Sequence, residues 1–221
     1  MATTIHEAPG IDDRPPHGVG NAPPRVRSET QRSVEDRPLQ PSRTGIWVGV
    51  AAITMTFAAF TSALIVRQGS SNDWQPISLP RILFFNTAAL ILSSLTLEVA
   101  RRKVASFIRI QGASRREALG WLIGTFSLGL VFVAGQYAAW IQLRSEGLYL
   151  ATNPNSSFFY VLTAVHAIHV LGGLGGLARV IRNVLPFPPA LRKSTIDSTT
   201  LYWHFMGVLW VYLMFVLWLK L

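Results

Sequence analysis

Residues 157–178 read SFFYVLTAVHAIHVLGGLGGLA, a stretch of 22 positions without a single charge. At 1.5 Å per residue, about 20 residues cross the ~30 Å hydrocarbon core of a bilayer. Lipid offers no partner to exposed backbone N–H and C=O groups, so a lone spanning segment has to be a helix. The stretch predicts a transmembrane helix, and one that carries His166, His169 and four glycines.

Working outward, four further runs have the same character. They cover 45–66, 79–100, 119–143 and 200–219, each long enough to span. The expected fold class is therefore all-α: a polytopic membrane protein with five transmembrane helices in a bundle, occupying 44–221. Composition agrees. Half of the 221 residues are hydrophobic, only 14% are charged, and mean hydropathy is +0.33, whereas a soluble domain carries about 25% charged residues. Residues 1–43 stand apart, with more than half of the 13 prolines and no Phe, Tyr or Trp. Such a segment cannot bury enough apolar area to offset its ordering entropy and is expected to be a disordered tail. It contains no apolar run ending in a small-residue cleavage site, so the first helix is expected to act as an uncleaved insertion signal.

The net charge of +9 sits between the apolar runs rather than on a nucleic-acid-binding face. Six Lys or Arg precede the first run, six lie between the second and third, and four between the fourth and fifth, against four on the opposite side. Basic connections stay in the cytoplasm, which predicts a cytoplasmic N-terminus and an outer C-terminus. The absence of cysteine removes disulfides, thiolate metal sites and thiol catalysis.

Polar residues inside spans are costly and hence candidate sites. His166, His169, Gly173 and Gly176, spaced 3, 4 and 3 apart, share one helical face. Gly172 and Gly176 form a Gly-x-x-x-Gly pair that permits close helix approach. His169 lies about 18 Å into the fourth helix and His204 ~6 Å into the fifth from the other side. Their levels differ by too much for metal bonds of about 2 Å. The histidines therefore read as helix–helix hydrogen bonding, with no metal or cofactor held by this chain. Asn86 and Thr87 read as cross-helix hydrogen bonds, as do Gln136, Tyr137 and Trp140. Glu98 reads as an interfacial carboxylate paired with Arg102 one turn on, or as a carboxyl near a proton-entry surface. The C-terminal aromatics Trp203, Trp210, Tyr212 and Trp218 read as lipid-facing and interfacial. Gly173-x-Gly175-x-x-Ala178 imitates a dinucleotide fingerprint but follows no strand.

Several local strings are similar to those of a known family. Asn86-Thr87 with Ser93-Ser94-Leu95-Thr96-Leu97 resembles an N-T…S-S-x-T pattern. Val131 to Gln136 with Trp140 resembles F-x-x-x-Q…W. Phe158 to Val170 with Gly172-Gly173 resembles F-(F/Y)-x-L-T-x-x-H-x-x-H-V-x-x-G. Tyr202-Trp203-His204-Phe205 with Trp210 resembles a last-helix Y-W-H-F motif. In this order, the chain from Gly45 onward resembles subunit III of the haem-copper terminal oxidases, in the form that keeps five of seven helices.

The resemblance implies a non-catalytic subunit of a proton-pumping oxygen reductase in a bacterial cytoplasmic membrane. Haem and copper are then held by the partner subunits I and II, while this chain stabilises subunit I, binds phospholipid and supports proton uptake. Two positions depart from the family: Ala52-Ile53 stands where a Ser-Glu pair is usual, and Met206-Gly207 follows Y-W-H-F where a carboxylate is common. Both departures speak against proton conduction through this chain's own carboxylates. The alternatives are the accessory subunit of a nitric-oxide reductase, a small multi-helix transporter, and a b-type haem protein using His166, His169 and His204. An odd helix count does not divide into inverted repeats, which counts against the transporter.

Overall fold

A computed structural model describes residues 41–70, 79–109, 114–150, 153–186 and 193–220. They form five helices: α1 (Pro41–Ser70), α2 (Ile82–Arg109), α3 (Arg115–Ser145), α4 (Pro154–Val184) and α5 (Lys193–Lys220). All five are long and apolar enough to span a membrane, and the described residues contain no strand. Residues 1–40, and with them nearly all of the expected tail, lie outside the described residues.

The helices outrun the apolar runs that announce them. The second continues to Arg109 rather than stopping near residue 100, and the fifth starts at Lys193 rather than near 200. Hydropathy counts a charge as the end of a span. Charges at helix ends are nonetheless helical when neighbours one turn away pair them, as Glu98 pairs Arg101 and Arg102.

Local chemistry sets the other ends. Ser114 accepts the amide of Glu117 and opens α3 with an acid in its first turn. Asn153 and Ser156 close a reciprocal capping box at the start of α4, with Pro154 at the first helical position. Between them, α3 ends in a Schellman turn. The amide of Leu148 donates to Leu143 O at 3.0 Å and that of Gly147 to Arg144 O at 3.0 Å. Gly147 has φ +81°, a conformation that favours glycine.

Four helices close a ring: α2 packs on α3, α3 on α4, α4 on α5, and α5 back on α2, the α2–α3 contact being the most extensive. α1 stands outside the ring and, among the described residues, packs on α4 and α5 alone. On α3 the buried positions Ala118, Leu122, Thr125, Gly129, Phe132, Gln136, Ala139 and Leu143 alternate spacings of 4 and 3. That is the seam of a helix packed along its whole length. Lipid tails are as apolar as these side chains, so the ring is held by close packing and interhelical hydrogen bonds rather than by water exclusion.

Candidate functional site

Two indoles of α5 occupy the middle of the ring. Trp203 and Trp210 lie seven residues apart, two turns along one face, and are 1% and 0% exposed. Trp203 Nε1 donates to Ser93 Oγ at 3.0 Å and Trp210 Nε1 to Thr87 Oγ1 at 3.0 Å, both on α2. Each hydroxyl passes its own proton to its helix, Ser93 to Leu90 O at 2.7 Å and Thr87 to Leu83 O at 2.8 Å. Donors and acceptors are thus consumed in pairs, as a dry interior requires. The lipid-facing reading of these two tryptophans is corrected here; it describes Trp218, 66% exposed, and Tyr212, 41% exposed. Charge-free aromatic runs give no sign of which face is inward.

Glycines make room for the indoles. A Cβ on Gly129 of α3 would sit 2.7 Å from Trp203 Cη2, and one on Gly173 of α4 would sit 3.1 Å from Trp203 Cε3. Gly172 and Gly176 also face α5, toward Tyr202 and Thr199, whereas Gly175 opens onto empty space. The Gly-x-x-x-Gly pair therefore serves the internal α4–α5 contact. Gly129 was not singled out from sequence, where nothing distinguishes it from Gly120 or Gly124.

Beside Trp210 lies His166, fully buried. Its ring is 5.0 Å from Trp210 at 32°, 5.8 Å from Phe132 at 80°, and 6.3 Å from Phe57 at 70°. Neither ring nitrogen has a hydrogen-bond partner among the described residues. The expected cross-helix hydrogen bond is replaced by aromatic contacts from α1, α3 and α5. His169 turns its Nδ1 to Val165 O of its own helix at 2.7 Å, and Tyr202 donates to His169 O at 3.0 Å. His204 is half-buried and makes no ring contact or hydrogen bond with the other two histidines. No cluster of three metal-ligating side chains exists among the described residues.

The remaining polar positions divide. Trp140 Nε1 donates to Thr163 Oγ1 at 3.0 Å across α3 and α4, and Thr96 pairs with Thr125 at 3.0 Å across α2 and α3. Asn86 is buried hard against Gly135, where any Cβ would overlap its amide oxygen, and its Nδ2 has no partner among the described residues. Gln136, 1% exposed, pairs neither amide atom among the described residues. At the basic end, Arg102 Nε reaches Glu98 Oε1 at 2.9 Å, as the four-residue spacing predicts. Arg101 adds a two-pronged contact to Glu98, with both bonds 2.8 Å, and extends to Asp197 of α5 at 3.4 Å. Lys103 meets Glu117 at 2.8 Å.

Comparison with known proteins follows the same helices. Residues 47–220 match the family described as cytochrome c oxidase subunit III. The chain is 26% identical over 205 residues to the quinol oxidase subunit 3 of Bacillus subtilis, covering 89% of this chain and 92% of that protein. It is 28% identical over 180 residues to the cytochrome c oxidase subunit 3 of Thermostichus vulcanus, covering 79% and 85%. It is also 28% identical over 178 residues to the probable cytochrome c oxidase subunit 3 of Nocardia farcinica, covering 76% and 81%.

Proposed function

Since the chain belongs to the cytochrome c oxidase subunit III family, we propose that it is the non-catalytic third subunit of a proton-pumping haem-copper oxygen reductase. In this reading it stabilises the catalytic subunit I, binds phospholipid and supports proton uptake, with haem and copper in subunits I and II. The observation that carries the reading is the family match, which runs through all five spans. The interior supports it. The indoles of Trp203, Trp210 and Trp140 and the hydroxyls of Ser93, Thr87 and Thr163 tie helices together, an arrangement that suits a scaffold. The charge balance supports a cytoplasmic N-terminus, and the bacterial relatives support a place in a bacterial cytoplasmic membrane.

Relatives include subunits of both quinol and cytochrome c oxidases, so both donors enter the test. The chain, tagged and purified in mild detergent, is expected to bring haem-bearing subunits with it. The preparation is expected to consume oxygen with reduced cytochrome c or with quinol. A haem band in the reduced-minus-oxidised spectrum of this polypeptide alone, or its purification as a solitary active protein, would overturn the reading.

A further inference from the structure

The polar groups along the α2–α5 contact fall into two sets. Thr87, Ser93, Trp203 and Trp210 are spent inside the ring. A second set lies on the outer side of the same contact. Arg101 reaches Asp197 at 3.4 Å, the charges of Glu98 and Arg101 act on His204, and Ser94 faces Gly207, where a Cβ would sit 3.3 Å from its Oγ. Ser94 and Glu98 are one turn apart on α2, as are His204 and Gly207 on α5. They make a polar track that climbs from the charged end of the bundle into the span.

The upper part of the track is deep. α5 has 28 residues, a length of about 42 Å. A ~30 Å hydrocarbon core centred on it begins ~6 Å from Lys193, which leaves His204 ~10 Å inside. His204 and Ser94 are both partly exposed, and neither has a hydrogen-bond partner among the described residues. Lipid tails supply no such partner, and polar side chains within spans turn toward protein or a water-filled cavity instead. Around them stand the exposed apolar side chains Leu95, Val208 and Val211. The small residues Gly207 and Ser94 let another backbone come close. Small, hydrogen-bonding and apolar side chains at one level are what packs one transmembrane helix on another.

We propose that the outer side of the α2–α5 contact docks a transmembrane helix of a neighbouring subunit, which places an uncharged hydrogen-bonding side chain on His204 and Ser94. A neutral imidazole offers one donor and one acceptor, and a hydroxyl offers both, so an amide or a hydroxyl on the partner completes them. The nearby charges call for no ionic partner, because Glu98 and Asp197 already pair with Arg101 and Arg102. The inference deepens the proposed function and rests on it for the identity of the neighbour, an oxidase subunit; the face itself rests on these side chains.

Photo-crosslinking residues placed at Leu95 or Val208 of the full chain in its own membrane test this, with the equally exposed Met55 of α1 and Ile123 of α3 as controls. Leu95 and Val208 are expected to crosslink to one co-purifying oxidase subunit, identified by mass spectrometry, and the controls are not. His204→Phe and Ser94→Ala should each weaken co-purification of that subunit about 3- to 15-fold, the range for one hydrogen bond between membrane helices. Val208→Trp should abolish it by bulk, while all three variants insert and accumulate as the wild type does. Crosslinks from Met55 or Ile123 but none from Leu95 and Val208, crosslinks only to a second copy of this chain, or full co-purification in both His204→Phe and Val208→Trp overturn the proposal. A crosslinked subunit from a complex without haem and copper would keep the docking face and count against the proposed function.

Discussion

The Trp210 indole lies tilted 32° over the His166 imidazole with ring centres 5.0 Å apart. This pair joins α5 to α4 at the level where Phe57 brings in α1 and Phe132 brings in α3. Four helices meet on one imidazole that makes no hydrogen bond to any described residue. The ring is therefore used as a flat aromatic body.

That use predicts an asymmetry between two substitutions. His166→Phe keeps a planar ring in the box and is expected to leave complex yield and oxygen consumption near wild type. His166→Ala opens a cavity and should cost about 2–4 kcal/mol, read as a lowered midpoint in thermal or detergent unfolding. Normal assembly with abolished turnover in His166→Phe would assign the ring nitrogens a role in the chemistry.

Glycine positions give a sharper contrast. Gly129→Ala pushes a methyl into Trp203 and is expected to cost about 1–3 kcal/mol. Gly173→Ala is tight against the same ring and should cost less. Gly124→Ala and Gly175→Ala meet nothing within 4 Å and should be neutral or slightly stabilising, since alanine is the better helix former. Equal effects at all four positions would show that the indole does not lie between α3 and α4.

The indole-to-hydroxyl bonds can be weighed by a double-mutant cycle. Thr87→Val with Trp210→Phe should show a coupling of about 0.5–1.5 kcal/mol, the range for hydrogen bonds between membrane helices. Ser93→Ala with Trp203→Phe should behave alike. Additive losses in an unfolding assay would remove the α2–α5 bonds from the account.

At the basic end, Glu98→Gln should be mild. Arg101 and Arg102 are partly or largely exposed, and exposed pairs contribute about 0–1 kcal/mol. The loss is expected to shrink further as salt rises. Turnover that falls steeply while assembly and stability hold would give Glu98 the proton-entry role that its pairing does not require.

Which parts of this were legible beforehand follows from where the signal resides. Five spans announce themselves because hydrocarbon penalises every charge, and the Glu98–Arg102 pair is legible because helical spacing alone creates it. The inward orientation of Trp203 and Trp210 is not, because a uniformly apolar helix such as α5 has no polar face to mark its outside. Thr87 was legible as a cross-helix partner but not its donor, which lies 123 residues away. His166 misled for a related reason: a lone imidazole in a span invites a polar partner, while the three rings that enclose it come from separate runs. The ends of α2 and α5 were misplaced because charges that finish an apolar run need not finish a helix.

Closure of the ring through α2 and α5 has a consequence for biosynthesis. Ser93 and Thr87 leave the ribosome 110 and 123 residues ahead of the indoles that will occupy them. At 5–20 residues per second the wait is about 5 to 25 s. During that interval a half-made bundle sits in the translocon or the bilayer with its second helix unlatched. The fifth helix is the bolt, and a message cut short before codon 203 would yield a chain that inserts four rods and never locks them.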